Sequence, residues 1–217
     1  MATYRSLKDL VYDHITAEIS SGRLKPNVAI NEAAICADLE ISRTPVREAL
    51  MQLAHEGYID HIPRRGFFTR ALTPERIRNI YAIIGDLEAM AAVLAMGRPE
   101  HLDLDKMRSL ATEIDRGIEA HNYEAYHSLQ YAFHDQFIQA SGNEELIRLL
   151  ANLKKFLVQL NYLRNTGDEV IHPVLVKMNH EHWQIIRLLE GGDREAVRAF
   201  VRDVHWSGDY APFHTFI

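Results

Sequence analysis

The chain has 217 residues, 47% of them hydrophobic and 25% charged, a composition that is typical of a packed globular protein and excludes a disordered one. A single cysteine, Cys36, excludes an internal disulfide framework, and no apolar run approaches the roughly 20 residues of a membrane span, so we expect a soluble cytoplasmic protein without a membrane partner. The whole net charge of −6 lies in residues 73–217, which predicts two regions with different roles.

The first region, residues 1–72, has the pattern of three short helices followed by a β-hairpin. Ser6 is placed to cap the first helix and Gly22 to end it, and Ala34, Ile35 and Leu39 should face inward from the second. Residues of high strand propensity on both sides of a short turn indicate the hairpin. The predicted elements are a helix between Ser6 and Gly22, helices over 32–40 and 43–56, and strands over 58–62 and 66–70.

The second region, residues 73–217, has the pattern of an all-helical antiparallel bundle. It opens with Thr73 as a helix cap and Pro74 in the first helical position. Apolar residues then recur at helical spacing, and no strand pattern follows, so the predicted fold class of the whole chain is mainly α. The predicted helices run from Pro74 to about 96 and over about 103–119, 122–141, 144–164, 172–190 and 193–206.

The third helix has an apolar side and, next to it, a side with two arginines near its N-terminal end. At about 100° per residue, its apolar residues cluster on one side, while Arg43, Thr44 and Arg47 lie on an adjacent side near the N-terminal end. Such a helix can dock its N-terminal residues into a major groove, where arginine holds guanine edges or phosphates. Ser42 and the free N–H groups at the helix start can hold a phosphate.

The hairpin supplies a second basic surface. Arg64 and Arg65 lie at its tip, beside Gly66, which allows a tight turn or a close approach to a ligand. A basic tip of this kind reaches phosphates or a minor groove. The alternative interpretation is a small helical domain with ordinary surface arginines. The predicted DNA-contacting residues are Ser42, Arg43, Thr44, Arg47, Arg64, Arg65 and Gly66.

These motifs resemble the winged helix-turn-helix of GntR-family transcription regulators. The resemblance is carried by ISRTPVREAL, by the tip RRGFF and by ISSGRLKPN, in which Asn27 replaces the family's last glycine. It implies that residues 1–72 bind operator DNA in a homodimer. Some members carry a DNA-contacting arginine near the start of the second helix, where this chain has Ala33.

The second region resembles the FCD-type effector domain of the FadR subfamily. The resemblance rests on NIYAIIGDLEAMAAVLA, AFHDQFIQASGNEEL and HEHWQIIRLLEGGDREAVRAF. It implies six or seven helices around a pocket that binds a small molecule, often a carboxylate. In many members the pocket also holds a divalent metal through one aspartate and three histidines. Residues 73–217 are therefore predicted to sense a ligand and to dimerise.

Carried over to this chain, the resemblance matches His134 and His182 to two of the ligand histidines. Gln130 stands at the position of the aspartate, and Val204 stands where the last histidine is expected, one residue before His205. On a regular helix His205 lies about 100° from the apolar stripe, so we expect it to reach the pocket only if the helix is locally overwound or rotated. The predicted effector site is Gln130, His134, His182 and His205, with the three histidines holding a zinc-type or nickel-type ion.

Two other features of this region enter the prediction. Ile84 stands where many members have an arginine, which removes an obvious carboxylate clamp. His121 and His172 are assigned ordinary surface or core roles.

The sequence therefore predicts a ligand-responsive transcription regulator of bacterial type, with operator DNA, a small-molecule effector and a second copy of itself as partners. One alternative is a DNA-binding regulator whose pocket has degenerated. A less favoured alternative is a metal-dependent enzyme in which the histidines activate water. No nucleophile elbow, phosphate loop or positioned glutamate base is evident, so no catalytic residue is predicted.

Overall fold

The computed structural model describes residues 6–20, 23–70, 73–158 and 167–210. They form two compact units that divide between Thr73 and Pro74. The chain is mainly helical with a two-stranded antiparallel sheet, which confirms the predicted mainly-α class. Within these residues, no helix combines the length and the apolar character needed to cross a membrane.

The described residues of the first unit form three helices and the hairpin. Ser6 caps the first helix: its Oγ accepts from the N–H of Asp9 at 3.2 Å, and the Asp9 carboxylate accepts from the N–H of Ser6 at 3.0 Å. Asn31 caps the second helix by accepting from two backbone N–H groups. The elements are α1 (Leu7–Ser20), α2 (Glu32–Leu39), α3 (Arg43–His55), β1 (Ile59–Ile62) and β2 (Gly66–Thr69).

The inner face of α3 is the best-predicted part of this unit. All four of its predicted core residues are completely buried: Val46, Ala49, Leu50 and Leu53. In α2, Ile35 is buried as predicted, but Ala34 is exposed and Leu39 is only half-buried, because the eight-residue helix presents a narrow inner face. Gly22, predicted to end α1, lies outside the described residues.

The hairpin is fixed by its register and by the segment before α2. Ile59 pairs with Thr69, and Ile62 pairs with Gly66. Phe67 is buried, and its carbonyl accepts from the N–H of Ile30 at 2.8 Å. The strands are therefore tied to the helices of this unit, and the turn at residues 63–65 projects from a supported base.

In its described residues, the second unit contains helices and no strand. The α-helices are α4 (Pro74–Ala95), α5 (Leu104–Glu119), α6 (Tyr126–Ala140), α7 (Glu144–Val158), α8 (Asp168–Gly191) and α9 (Arg194–Ala199). Helix α4 packs against α6, α7 and the last helical segment, and α5 packs against both α6 and α8. A Cβ on Gly85 would lie 2.9 Å from the Cβ of Trp206, so glycine allows the close approach of α4 to the end of the last segment.

Two helix starts differ from the predicted ones. Helix α6 begins at Tyr126 because the preceding chain turns instead: His121 has a φ of 50°, and the N–H of Asn122 donates to the carbonyl of Gly117. Helix α8 begins at Asp168, four residues before the predicted start, so Pro173 lies inside the helix. The predicted end of α7 at residue 164 lies outside the described residues.

The last helical segment changes its winding. Helix α9 continues directly into a π-helix over Phe200–His205. The N–H of Trp206 donates to the carbonyl of Val201 at 3.1 Å, five residues back rather than four. The wider turn alters which side chains face the interior of the unit.

Candidate functional site

The N-terminal half of α3 presents an exposed polar face. Arg43, Thr44 and Arg47 are exposed on a side adjacent to the buried inner residues, and Ser42 precedes them without a side-chain capping bond to the helix. Arg47 Nε lies 3.7 Å from a carboxylate oxygen of Glu32, with the arginine side chain 59% exposed. An exposed pair at this distance is worth little, so an incoming phosphate or base edge can replace it.

The hairpin tip presents two more cations on a tight turn. Arg64 and Arg65 are exposed, and the N–H of Arg65 donates to the carbonyl of Ile62 at 3.0 Å. Arg64 and Gly66 both have left-handed backbones, with φ of 65° and 94°. No atom lies within 4 Å of a Cβ built on Gly66. Glycine is therefore favoured here by its left-handed backbone conformation and not by a lack of space for a side chain.

Three buried histidines of the second unit point their Nε2 atoms at one spot. His134 Nε2 lies 3.3 Å from His182 Nε2 and 3.2 Å from His205 Nε2. The side chains come from α6, α8 and the π-helix, and all three residues are at most 3% exposed. A tetrahedral ion with metal–nitrogen bonds of about 2.0–2.1 Å separates its nitrogens by about 3.3 Å. The two separations measured from His134 Nε2 therefore fit a zinc-type ion.

Each histidine is held at its other ring nitrogen by an acceptor oxygen. An acceptor at Nδ1 places the ring proton there and leaves Nε2 as an unprotonated lone pair. Three such lone pairs facing one another repel, and a cation between them removes the repulsion. The Nδ1 contacts are His134 with Glu88 at 2.6 Å, His182 with Asn179 at 2.9 Å and His205 with Glu181 at 3.0 Å.

The orientation of Asn179 is fixed by its own contacts. Its amide nitrogen donates to the carbonyl of Ala111 at 2.9 Å and to Asp115 at 2.5 Å. Its amide oxygen must therefore be the atom that faces His182. Since that oxygen only accepts, His182 carries its proton on Nδ1 and offers Nε2 to the shared spot.

Glu88 supports His134 from a fully buried position. Its Oε2 accepts from His134 and, at 2.8 Å, from the indole N–H of Trp206, while its Oε1 lies 2.5 Å from Lys154 Nζ. Burial raises the pKa of this carboxyl, but its contacts with His134 and Lys154 outweigh burial and hold its pKa well below the usual range. Glu88 is therefore an ionised acceptor. Glu181, the partner of His205, accepts a hydrogen bond from the hydroxyl of Tyr210.

Burial also keeps His134 and His182 in their neutral form. It lowers the pKa of His134 to about 4 and lowers the pKa of His182 well below its ordinary value. Neutral imidazole is the form that binds a metal ion. The donor set and its protonation state therefore agree.

The π-helix explains how His205 joins the other two histidines. Val201 and His205 are both buried, whereas Val204, at the position where the family has its histidine, is 41% exposed. Of the two expected changes, an overwound or a rotated helix, overwinding is wrong, because the turn is wider than that of an α-helix. The wider turn moves His205 into the place that Val204 would occupy on a regular helix.

A small cavity adjoins His134. Its volume is about 20 Å³, enough for about one water molecule. Gln130 lines it one helical turn before His134, and Lys154 lines it from α7. The hydroxyl of Tyr131 donates to the carbonyl of Lys154 at 2.9 Å, which fixes the backbone that carries the lysine.

Two family descriptions match consecutive parts of the chain. Residues 7–69 match "Bacterial regulatory proteins, gntR family", and residues 79–204, more than half of the chain, match "FCD domain". The chain belongs to the GntR family of transcription regulators. The FCD domain is consistent with the FadR subfamily.

Curated relatives of this GntR regulator carry the same description of function. The Nta operon transcriptional regulator of Aminobacter aminovorans is 28% identical over 181 residues, which is 83% of this chain and 82% of the relative. The probable D-xylose utilization operon transcriptional repressor of Paenarthrobacter nicotinovorans is 28% identical over 193 residues, covering 89% and 83%. The family and these relatives are transcription regulators rather than enzymes, so the GntR regulator is a ligand-responsive DNA-binding protein.

Solved structures share the fold of the GntR regulator. Escherichia coli McbR/YncC aligns with a TM-score of 0.69 at 23% identity, over 96% of this chain and 97% of that one. A putative GntR regulator from Rhodococcus sp. RHA1 aligns with a TM-score of 0.67 at 22% identity, over 95% and 96%.

Several residues of the site were not predicted from the sequence. Glu181 stands directly before His182, so an acidic residue beside a candidate ligand could have indicated its role. The sequence spacing of Asn179 and Lys154 does not indicate that they belong to the site. Of the predicted effector residues, the three histidines come together and Gln130 lies at the cavity beside His134.

Proposed function

We propose that the regulator binds operator DNA as a homodimer, with the N-terminal DNA-binding domain of each copy in one half-site. The exposed face of α3 enters the major groove while the hairpin tip contacts phosphates or the minor groove. Two half-sites require two copies, and residues 73–217 supply the dimerisation and ligand-sensing domain. Because the target is chromosomal DNA, this regulator acts in the cytoplasm. The proposed contacts are Ser42, Arg43, Thr44, Arg47, Arg64, Arg65 and Gly66.

The second part of the proposal is that His134, His182 and His205 hold a zinc-type or nickel-type ion. The observation that carries it is the meeting of three buried imidazoles, with His134 Nε2 3.3 Å from His182 Nε2 and 3.2 Å from His205 Nε2. Gln130 offers only an amide oxygen where the family has a carboxylate, so the site keeps more positive charge. When bound, the ion supplies a charge and an open position to an anionic ligand.

We propose a small carboxylate as the effector. One proposed ligand of the ion, His134, lines the cavity together with the Lys154 ammonium group, so positive charge on this side would favour an anion. The cavity of about 20 Å³ is too small for a carboxylate metabolite, so binding requires side chains at its wall to move. A ligand that favours the enlarged state shifts the population of the domain, which is the coupling that a ligand-responsive regulator needs.

The small cavity also favours the alternative of a regulator with a degenerate pocket. Ile84 replaces the family's arginine, and Lys154 already has a partner in Glu88. In that case the histidine site is a structural metal centre, and DNA binding does not respond to small carboxylates.

A thermal-shift screen separates the two proposals. The full chain is loaded with zinc or stripped with a chelator, and small mono- and dicarboxylates are added. An effector at 100 times its Kd stabilises the folded state by about 2.7 kcal/mol. We expect stabilisation of the zinc-loaded chain only, and none for His134→Ala in either condition. A zinc-loaded chain that responds to no carboxylate supports the degenerate pocket, and a chain that retains no zinc overturns the metal site.

A further inference from the structure

A second group of metal-binding residue types lies at the start of α8. His121 follows α5, Asp168 is the first residue of α8, and His172 lies one turn further along that helix. One donor atom from each residue lies within 4.8 Å of the other two. The side chains of His121 and Asp168 are 55% and 53% exposed, so an ion reaches them directly from solvent.

These residues already contact one another. His121 Nδ1 lies 2.9 Å from Asp168 Oδ2, and the rings of His121 and His172 stack with their centroids 4.5 Å apart. The hydroxyl of Tyr123 donates to Asp168 Oδ1 and lies 3.1 Å from His172 Nδ1. Donor groups from the segment after α5 and from α8 therefore converge on a single point.

The donor set is that of a transition-metal site. Two imidazoles and one carboxylate suit zinc, nickel, copper or cobalt better than magnesium or calcium. Asp168 and His172 are four residues apart on one helix, which holds their side chains on the same face. The hydroxyl of Tyr123 contacts all three residues: it donates to Asp168 and lies 3.3 Å from His121 Nδ1 and 3.1 Å from His172 Nδ1. An ion at this point therefore displaces the hydroxyl from between the donor atoms.

We propose that His121, Asp168 and His172 form a surface site for a divalent ion of the zinc type. The ion ties the segment after α5 to the N-terminal end of α8. Because the two rings stack at an interplanar angle of 19°, one ring turns so that both Nδ1 lone pairs point at the ion. His121 is the ring that turns, since it is exposed and lies outside a helix. Water completes the coordination.

The simpler interpretation is a hydrogen-bonded cluster that holds no ion. His101 offers a matched control, because it is also exposed and lies 3.4 Å from a carboxylate oxygen of Glu100. In the described part of the chain, His101 belongs to no group of three candidate ligands. The control variant therefore removes an exposed histidine, His101, that has one carboxylate neighbour, whereas His172→Ala removes a histidine of the proposed three-residue site.

The experiment counts ions on the full chain. Zinc binding to the parent, His172→Ala, Asp168→Asn and His101→Ala is measured by calorimetry in competition with a chelator, and circular dichroism checks that each variant is folded. Loss of an outer partner already costs about 10–100-fold in metal affinity, so loss of a ligand should weaken the surface site at least about 100-fold. We expect the parent and His101→Ala to bind one zinc ion more than His172→Ala and Asp168→Asn.

Cobalt gives a readout that a purely structural role does not change. The second equivalent of cobalt should add visible absorption in the parent and none in Asp168→Asn, which differs from the parent by one oxygen-to-nitrogen exchange. If His172→Ala is unfolded, Asp168→Asn decides the matter alone. Equal zinc counts in parent and folded variants, or an equal loss in His101→Ala, overturn the site.

Discussion

Lys154 Nζ lies 2.5 Å from Glu88 Oε1, and both side chains are almost completely withdrawn from water. The other oxygen of Glu88 accepts hydrogen bonds from His134 and Trp206. One carboxylate therefore joins the ammonium group to a candidate metal ligand. Under the proposed function, an anion that enters the cavity would compete with Glu88 for Lys154, and this pair would then couple the cavity to the histidine site.

Lys154→Met should destabilise the second unit strongly. Removing one partner of a buried ion pair leaves the other charge without full compensation, which costs about 3–5 kcal/mol. We expect a loss of about 3 kcal/mol in the free energy of unfolding, measured by urea denaturation, because His134 and Trp206 still donate to Glu88. Lys106→Met, at an exposed position on α5, is the matched control and should change stability by less than about 0.5 kcal/mol. A change below about 1 kcal/mol for Lys154→Met would contradict the buried pair.

Arg47→Ala should weaken DNA binding and leave the fold intact. The Arg47 side chain is 59% exposed, and its only described ion pair, to Glu32, is weak. Loss of a base-contacting arginine costs about 1–3 kcal/mol of binding free energy. The measurement is affinity for DNA selected from a random pool at physiological salt. Arg148→Ala, an exposed arginine of α7, should bind as the parent does, and equal affinity of all three chains would remove Arg47 from the DNA surface.

The parts of the fold that depend on local pattern were predictable from the sequence. The buried face of α3 follows from the 3.6-residue period, and the hairpin follows from strand-forming residues on both sides of a short turn. Ala34 was assigned to the core by the same reasoning and is exposed, because periodicity tells which residues share a face but not how much of that face a neighbour covers.

The supporting residues of the histidine site could not be predicted in the same way. Glu88 and His134 are 46 residues apart in sequence, and Lys154 comes from a third helix. Their meeting depends on how the helices pack, which no local pattern encodes. The π-helix could not be predicted from the sequence either, because its i→i−5 hydrogen bonding depends on the packing of Val201 and His205 rather than on residue type.

His205→Ala should abolish tight metal binding, whereas Val204→Ala should not. The π-helix buries His205 with its Nε2 at the shared spot and leaves Val204 41% exposed. Removal of a residue that only hydrogen-bonds to a metal ligand already lowers metal affinity about 10–100-fold. Loss of one of three imidazole ligands should therefore weaken zinc binding at least about 100-fold. Metal content after gel filtration, together with chelator competition, measures the difference. Retention of zinc by His205→Ala with loss in Val204→Ala would show that the segment is wound as a regular α-helix.

His127→Gln should make the metal-free chain less sensitive to acid. Burial lowers the pKa of His127 below its ordinary value of about 6.5, so the folded chain binds fewer protons than the unfolded chain once the pH falls below that value. The free energy of unfolding of the parent therefore decreases as the pH falls from about 6.5 through the lower pKa of the folded state. Glutamine does not titrate, so the variant lacks the decrease that comes from His127. Urea denaturation at about pH 8 and about pH 5 measures it, with the higher pH as the internal control because the imidazole is neutral in both states there. An equal loss of stability in parent and variant between these pH values would contradict the depressed pKa.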